Sequence, residues 1–288
     1  MSATSRPAAQ IAPASAPRGR RSSLGELSFL GVATLVGLFL GLPIALLVWR
    51  AFAGGALVDA IGSVAVLDAL LLSLVTTAIS VAMTVAFGTP LAFILARRRF
   101  RGSGLVEAVV DLPIVLPPSV AGLALLLLFG RRGFLGGPLD ALGLAIPFTT
   151  VAVIIAQTFV AAPFFIRSAR AGFAAVDRDL EDAARVDGAG ERQVLRWIIL
   201  PLAAPALAAG LVMSWARALG EFGATIMFAG SVAGRTQTLP LVVYGEFQNG
   251  ELDASIAAAA ILVLAAFGVL VAVRVLRWGR ALDLRAGG

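Results

Sequence analysis

The sequence contains no lysine, no histidine and no cysteine, and only 14% of its 288 residues are charged. Each absence excludes chemistry. A P-loop nucleotide site needs a lysine reaching the β- and γ-phosphates from a glycine-rich turn, and a chain without lysine cannot supply one. Without thiolates or imidazoles, the ligands that zinc, copper and iron–sulfur sites favour are missing, and no disulfide framework can form. No metal or other cofactor is therefore expected. A catalytic nucleophile–base pair is equally hard to assemble, because the chain has no His or Cys. What fills the chain is apolar: 59% of residues are hydrophobic and the mean hydropathy is +0.94. Ordinary proteins run at about 45–50% apolar and about 25% charged. The expected solvent is the bilayer.

A hydrocarbon core about 30 Å thick takes roughly 20 apolar residues of helix, each rising about 1.5 Å. Runs of that length occur at Leu27–Trp49, Val64–Ala96, Val106–Gly130, Phe148–Ile166, Leu202–Ala229 and Ser255–Val273. None shows the polar/apolar alternation of barrel strands, so helices must satisfy the backbone. An all-α integral membrane protein with about six transmembrane helices is expected.

All 23 basic residues are arginine, and they orient the bundle because basic residues collect in cytoplasmic loops. Eighteen fall before the first run, between the second and third, between the fourth and fifth, and after the last. Only Arg50, Arg131, Arg132 and Arg235 lie in the loops of the other side, and Arg217 lies inside a run. Both termini are expected in the cytoplasm. The pI near 11.3 could point to nucleic acid, but the arginines flank apolar runs rather than interleaving with aromatics. No nucleic-acid partner is expected.

Residues 1–26, rich in Ala, Pro, Ser and Arg, read as a disordered cytoplasmic arm, residues 27–276 as the membrane domain, and 277–288 as a cytoplasmic tail. Ala51-Phe52-Ala53 loosely resembles a signal-peptidase site, yet the preceding run is longer than the h-region of about 7–15 residues. Internal repeats are not visible, which weighs against a fused two-copy transporter.

The longest polar stretch, within 170–200, has the grammar of a short helix. Asp177 or Asp179 can N-cap it, Glu181 and Asp182 sit near the positive end of its dipole, and Gly188 suits the left-handed C′ position. A second segment, Glu191 to Leu200, places Val194, Leu195, Trp197 and Ile198 in an apolar stripe before Pro201 opens the next span. Two short cytoplasmic helices joined by Gly-Ala-Gly are expected, built to dock into something.

Here the sequence resembles the ABC importer permeases, whose EAA loop runs Glu-Ala-Ala, three residues, Gly, then about nine residues to Ile-x-Leu-Pro. Asp182-Ala183-Ala184, Gly188 and Ile198-Ile199-Leu200-Pro201 fall at those spacings, with Asp182 where the family usually has Glu and Glu181 just before it. The resemblance implies a MetI-like permease fold in a bacterial or archaeal cytoplasmic membrane. It also implies a role for Glu181, Asp182, Ala183, Ala184, Gly188 and Pro201 in docking a separate ABC ATPase subunit, present in two copies. An extracytoplasmic substrate-binding protein and a second permease copy complete the expected assembly. Leu112-Pro113-Ile114-Val115-Leu116-Pro117-Pro118-Ser119, the run Arg217 to Thr225, and Gly234 to Pro240 look like the molybdate and tungstate branch, with the sulfate branch a close relative. The implied cargo is a tetrahedral oxyanion, molybdate first. The rival class is an ion-coupled secondary transporter.

The candidate pathway rests on Pro117, Pro118, Ser119, Arg217, Glu221 and Thr225. Pro113 is assigned to a helix start, whereas Pro117 and Pro118 remove donors and free nearby carbonyls. Arg217 and Glu221, four apart, share a helix face. An ion pair between them is the simpler reading, and an oxyanion held by the guanidinium is the other. Gate residues are expected around Pro117 to Gly122 and Glu221 to Met227.

Overall fold

The computed structural model describes the backbone of residues 23–286 apart from 99, and the side chains of 28–272 apart from 99. Most of the expected N-terminal arm, with Arg6, Arg18, Arg20 and Arg21, lies outside the described residues. Described segments are all helical: α1 (Ser23–Ala53), α2 (Ala56–Gly62), α3 (Val64–Arg97), α4 (Ser103–Val115), α5 (Pro118–Phe129), α6 (Gly136–Ala141), α7 (Thr150–Ala174), α8 (Arg178–Val186), α9 (Glu191–Val194), a π turn (Leu195–Ile199), α10 (Leu200–Leu219), α11 (Gly223–Phe228), α12 (Leu239–Gln248) and α13 (Leu252–Ala286). The chain divides into two compact units, residues 1–46 and 47–288. The first contributes the apolar start of α1. All that follows concerns the second.

Among the described residues of both units, five helices are long and apolar enough to cross a membrane, or six if the bent pair α4–α5 counts as one span. That pair corrects the expectation of one helix over Val106–Gly130. It is bent by 118° at Leu116–Pro117, and at about 1.5 Å per residue neither piece alone covers a core of about 30 Å. The cause is local. A residue before proline is pushed out of the α region, and Leu116 (ψ 135°) and Pro117 (ψ 135°) each precede one. Pro118 then opens α5, where a missing N–H costs nothing. Pro113, expected at a helix start, instead lies buried near the end of α4.

The fifth run is also broken: α10 stops at Leu219, and Gly220–Phe222 separate it from α11. Pro201 has a different consequence. It lacks an N–H to give Trp197, and its ring crowds that carbonyl. The helix widens here, the N–H of Leu200 reaching back five residues to the Leu195 carbonyl. The second cytoplasmic helix is therefore not separate, as expected, but runs through the π turn into α10.

The centre of the bundle is α3, α7 and α10. Small residues let the backbones approach: a Cβ at Gly210 would sit 2.8 Å from the Ser168 Cβ, and the Ser168 hydroxyl donates to the Ala206 carbonyl at 2.7 Å. Phe165, Ile166, Ala169 and Phe173 of α7 pack with Ala92, Val194, Ile199 and Ala203 at one end. At the other end Ala152, Val153, Ala156 and Val160 pack with Ala121, Leu125, Ala224 and Phe228. α4 lies on the first of these ends through Arg167–Asp111 (3.6 Å) and Arg170–Glu107 (2.8 Å). The arginine-rich segments after α3 and after α7 meet at that end, where Arg97 donates to the Val176 carbonyl. The arginine-poor loops meet at the opposite end, where the Thr150 hydroxyl donates to the Arg235 carbonyl.

Candidate coupling loop and gate

α8 forms as its sequence dictates. The Asp177 carboxylate accepts the N–H of Asp179 at 3.0 Å, which settles the N-cap in favour of Asp177. At the other end Gly188 adopts φ 90°. The Ala189 N–H bonds to the Ala184 carbonyl and the Gly188 N–H to that of Arg185, the paired bonds of a Schellman turn. Past the turn, the Gln193 side chain accepts the Gly190 N–H at 2.8 Å and caps α9.

Electrostatics tie this hairpin to the bundle through Glu181. Its side chain is 8% exposed, and it lies 2.6 Å from Nη2 of Arg97, the last residue of α3, itself 10% exposed. The contact is an off-axis ion pair, since Glu181 Oε1 accepts no aligned hydrogen bond. Asp182, which occupies the position where the resemblance puts a glutamate, is exposed instead and pairs, among the described residues, with Arg185. Arg185 also reaches Glu191 at 2.8 Å and so spans the turn. Its hydrogen bond to Glu191 above all, with Asp182 adding, pushes the Arg185 pKa upward. Ala183 is exposed, Ala184 packs partly on the cluster beneath, and Pro201 is exposed at the start of α10. Leu180, Val186 and Trp197 stand exposed around the turn, which borders a cavity of about 300 Å³.

The two stretches expected to hold the gate are brought together. The N-terminal turn of α5 packs directly on α11: a Cβ at Gly122 would lie 2.6 Å from the Ala224 carbonyl oxygen, and one at Gly223 would lie 2.8 Å from the Pro118 Cβ. Only glycine permits either approach. Pro117, Pro118 and Ser119 are exposed at the start of α5, whereas Thr225 is fully buried with an unpartnered hydroxyl. Glu221 is 1% exposed. One oxygen accepts the Ala224 N–H at 2.7 Å, capping α11, and the other lies 2.5 Å from Arg217 Nη1. Arg217 and Glu221 thus form an ion pair. The pair joins the end of α10 to the start of α11 across the break.

Sequence reasoning missed a buried polar seam on α3. Ser73, Thr76, Thr77, Ser80 and Thr84 are all fully or almost fully buried. Ser80 donates to the Ile154 carbonyl at 3.0 Å, Gln157 donates to Thr77, and the Leu239 N–H donates to Ser73 at 2.8 Å. The signal was present, since hydroxyls three and four apart inside an apolar run mark one helix face. Among the described residues no group of acids is placed to hold a metal ion.

Across residues 88–281 the sequence matches the family described as "Binding-protein-dependent transport system inner membrane component". The chain belongs to that family. The permease is 43% identical over 205 residues to the molybdenum transport system permease protein ModB of Mycobacterium tuberculosis, covering 71% of this chain and 77% of that one. It is 36% identical over 243 residues to the sulfate transport system permease protein CysW of Synechococcus elongatus, covering 83% and 85%. Its fold is similar to a chain in the crystal structure of a bacterial ABC transporter that imports the acidic polysaccharide alginate. The TM-score is 0.70 at 18% identity, over 88% of this chain and 94% of that one. The permease is thus a multi-pass inner-membrane protein with the ABC importer fold.

Proposed function

We propose that the permease imports a tetrahedral oxyanion, molybdate first, as the membrane half of an ABC importer. Two copies form the pathway, two separate ATPase subunits drive it from the cytoplasm, and a binding protein delivers the anion from outside. The carrying observation is the α8 hairpin. Leu180, Val186 and Trp197 are apolar and exposed on a loop that also carries Arg178, Arg185 and Arg192, the mark of a cytoplasmic rather than a lipid-facing segment. Such a patch on an ordered element calls for a protein partner. The buried Arg97–Glu181 contact gives that partner a grip on α3. Molybdate is favoured over sulfate by the higher identity to the molybdenum permease.

The alternative, ion-coupled transport, needs an intramembrane acid free to exchange a proton or bind a cation. Glu221 is committed on both oxygens, to Ala224 and Arg217. The deciding experiment is uptake in proteoliposomes. Molybdate accumulation should require ATP, the ATPase subunit and the binding protein together. Accumulation driven by a proton or sodium gradient with those partners omitted would overturn the proposal.

A further inference from the structure

At the extracytoplasmic end the chain borders an open cavity of about 680 Å³, lined in part by Arg131, Arg132 and Arg235. These arginines come from two separate segments, the turn after α5 and the loop between α11 and α12. Among the described residues none of the three has a carboxylate partner, whereas Arg50, the remaining arginine of that side, pairs with Asp253. Asp140, the nearest acid along the chain to Arg131 and Arg132, does not line the cavity.

Both segments are held in place by their backbones. After α5 the chain folds back, with the N–H groups of Phe134 and Leu135 bonded to the carbonyls of Leu127 and Leu128. In the other loop the Val232 carbonyl accepts from Arg235, Thr236 and Gln237, and the Thr236 hydroxyl accepts the Val232 N–H at 2.9 Å. The Thr150 hydroxyl then ties the Arg235 carbonyl to the start of α7. Phe148 forms part of the cavity wall at φ 60°, the sole positive φ outside glycine among the described residues. Its ring lies against Gly230. Backbone strain of this kind persists where the surroundings over-determine it, and it clusters at ligand sites.

Three arginines that line one cavity without a counter-charge repel one another. An anion in the cavity removes that cost, and forked N–H donors match tetrahedral oxygens. We propose that Arg131, Arg132 and Arg235 bind a tetrahedral oxyanion group outside the gate. α5 runs from this cavity to the Pro118–Gly223 contact, so the site stands at one end of the helix whose other end forms the gate. Exposure of the guanidiniums keeps the hold weak, as a pathway site requires. The inference rests on the oxyanion-importer reading. A lipid headgroup phosphate carries the same oxygens, so the test separates the two sources.

The test uses the purified permease–ATPase complex without its binding protein, titrated with tungstate in equilibrium dialysis. The triple variant Arg131→Gln/Arg132→Gln/Arg235→Gln should bind tungstate about tenfold or more weakly, since a charge-assisted hydrogen bond contributes at least that much. The matching triple lysine variant should keep part of the affinity, and retained ATPase co-purification shows that both variants fold. Native mass spectrometry, counting retained phosphatidylglycerol, gives the lipid arm. A variant that loses lipid while tungstate binds only the delipidated wild type assigns the site to headgroup phosphate. Wild-type complex that binds neither probe, or a glutamine variant that binds both as wild type does, would overturn the inference. Uptake by the complete wild-type system separates this from the importer reading. If the wild type fails to accumulate molybdate, that reading fails; if it accumulates molybdate and the glutamine variant binds normally, only this inference does.

Discussion

Glu181→Ala removes the carboxylate that Arg97 grips between α3 and α8. At 2.6 Å the Coulomb attraction is large, about 6 kcal/mol at an effective dielectric of about 20. Desolvating two side chains that are 10% and 8% exposed cancels much of it. The net worth of the intact pair is therefore modest, while removal of one partner strands the other. That loss runs to about 3–5 kcal/mol for a buried pair. The lower figure applies, because Arg97 keeps its bond to the Val176 carbonyl. In a chain of this size about 3 kcal/mol corresponds to a melting shift of about 6–12 °C. The assay is a thermal melt of the detergent-solubilised complex, read beside the ATP hydrolysed per molybdate imported. Glu181→Ala should melt lower and waste ATP. Arg97→Ala/Glu181→Ala should regain most of the melting temperature but not the coupling, since no buried charge is stranded while the tie stays cut. Asp182→Ala is the control: its exposed pair with Arg185 contributes under about 1 kcal/mol. A Glu181→Ala protein that melts with the wild type, or a double variant no better than the single one, would refute the reasoning.

Gly122→Ala drives a Cβ toward the Ala224 carbonyl oxygen at 2.6 Å, so it should abolish uptake while the ATPase still co-purifies; unchanged uptake would mean that the α5–α11 contact is no gate. Gly188→Val forces a β-branched residue to φ 90° at a cost of about 1–2 kcal/mol. It should weaken ATPase co-purification, whereas Gly188→Asn, which tolerates the left-handed region, should retain it; equal pull-down of both variants would discard the docking role. Pro201→Ala restores an N–H that can bond the Trp197 carbonyl and close the π turn, shifting α9 against α10 by about one residue. ATP hydrolysis should then persist with less molybdate imported per ATP, and an unaltered ratio would show that the π turn is incidental.

Composition and arginine placement were enough to read an all-helical membrane bundle with its orientation, because bilayer thickness and loop charge act on every segment alike. The α8 hairpin was legible for a different reason: Asp177 and Gly188 act through bonds to their own neighbours, so their spacing already contains the geometry. The broken spans were not read from hydropathy, which averages over the two residues that decide them. Pro117-Pro118 was noticed, but a window of apolar residues cannot show that the chain bends by 118° there. Glu181 shows the other limit. The resemblance placed Asp182 at the position of the family's glutamate with Glu181 beside it, and only the approach of Arg97, 84 residues earlier, assigns the buried contact to Glu181.

On the proposed function, the same breaks that hydropathy missed make the machine workable. A helix bundle that crossed the membrane without interruption could tilt as a body, but it would have no part able to move alone. α11, a six-residue helix, is joined to α10 by the Gly220–Phe222 break and by the Arg217–Glu221 pair. α5 is joined to α4 by an extended Leu116–Pro117 link. Both gate elements therefore hang on hinges, while α3 and α10 run unbroken from the α8 hairpin toward the outer side. Two links carry displacement of α8 into them: Arg97 on α3, and the π turn into α10. α10 ends where Glu221 caps α11. Contiguity alone does not prove coupling; the variants above cut the two links separately. If α3 and α10 act in parallel, either cut should lower the yield per ATP and the two together should abolish it. If α10 alone carries the stroke, Glu181→Ala will cost stability and leave coupling intact.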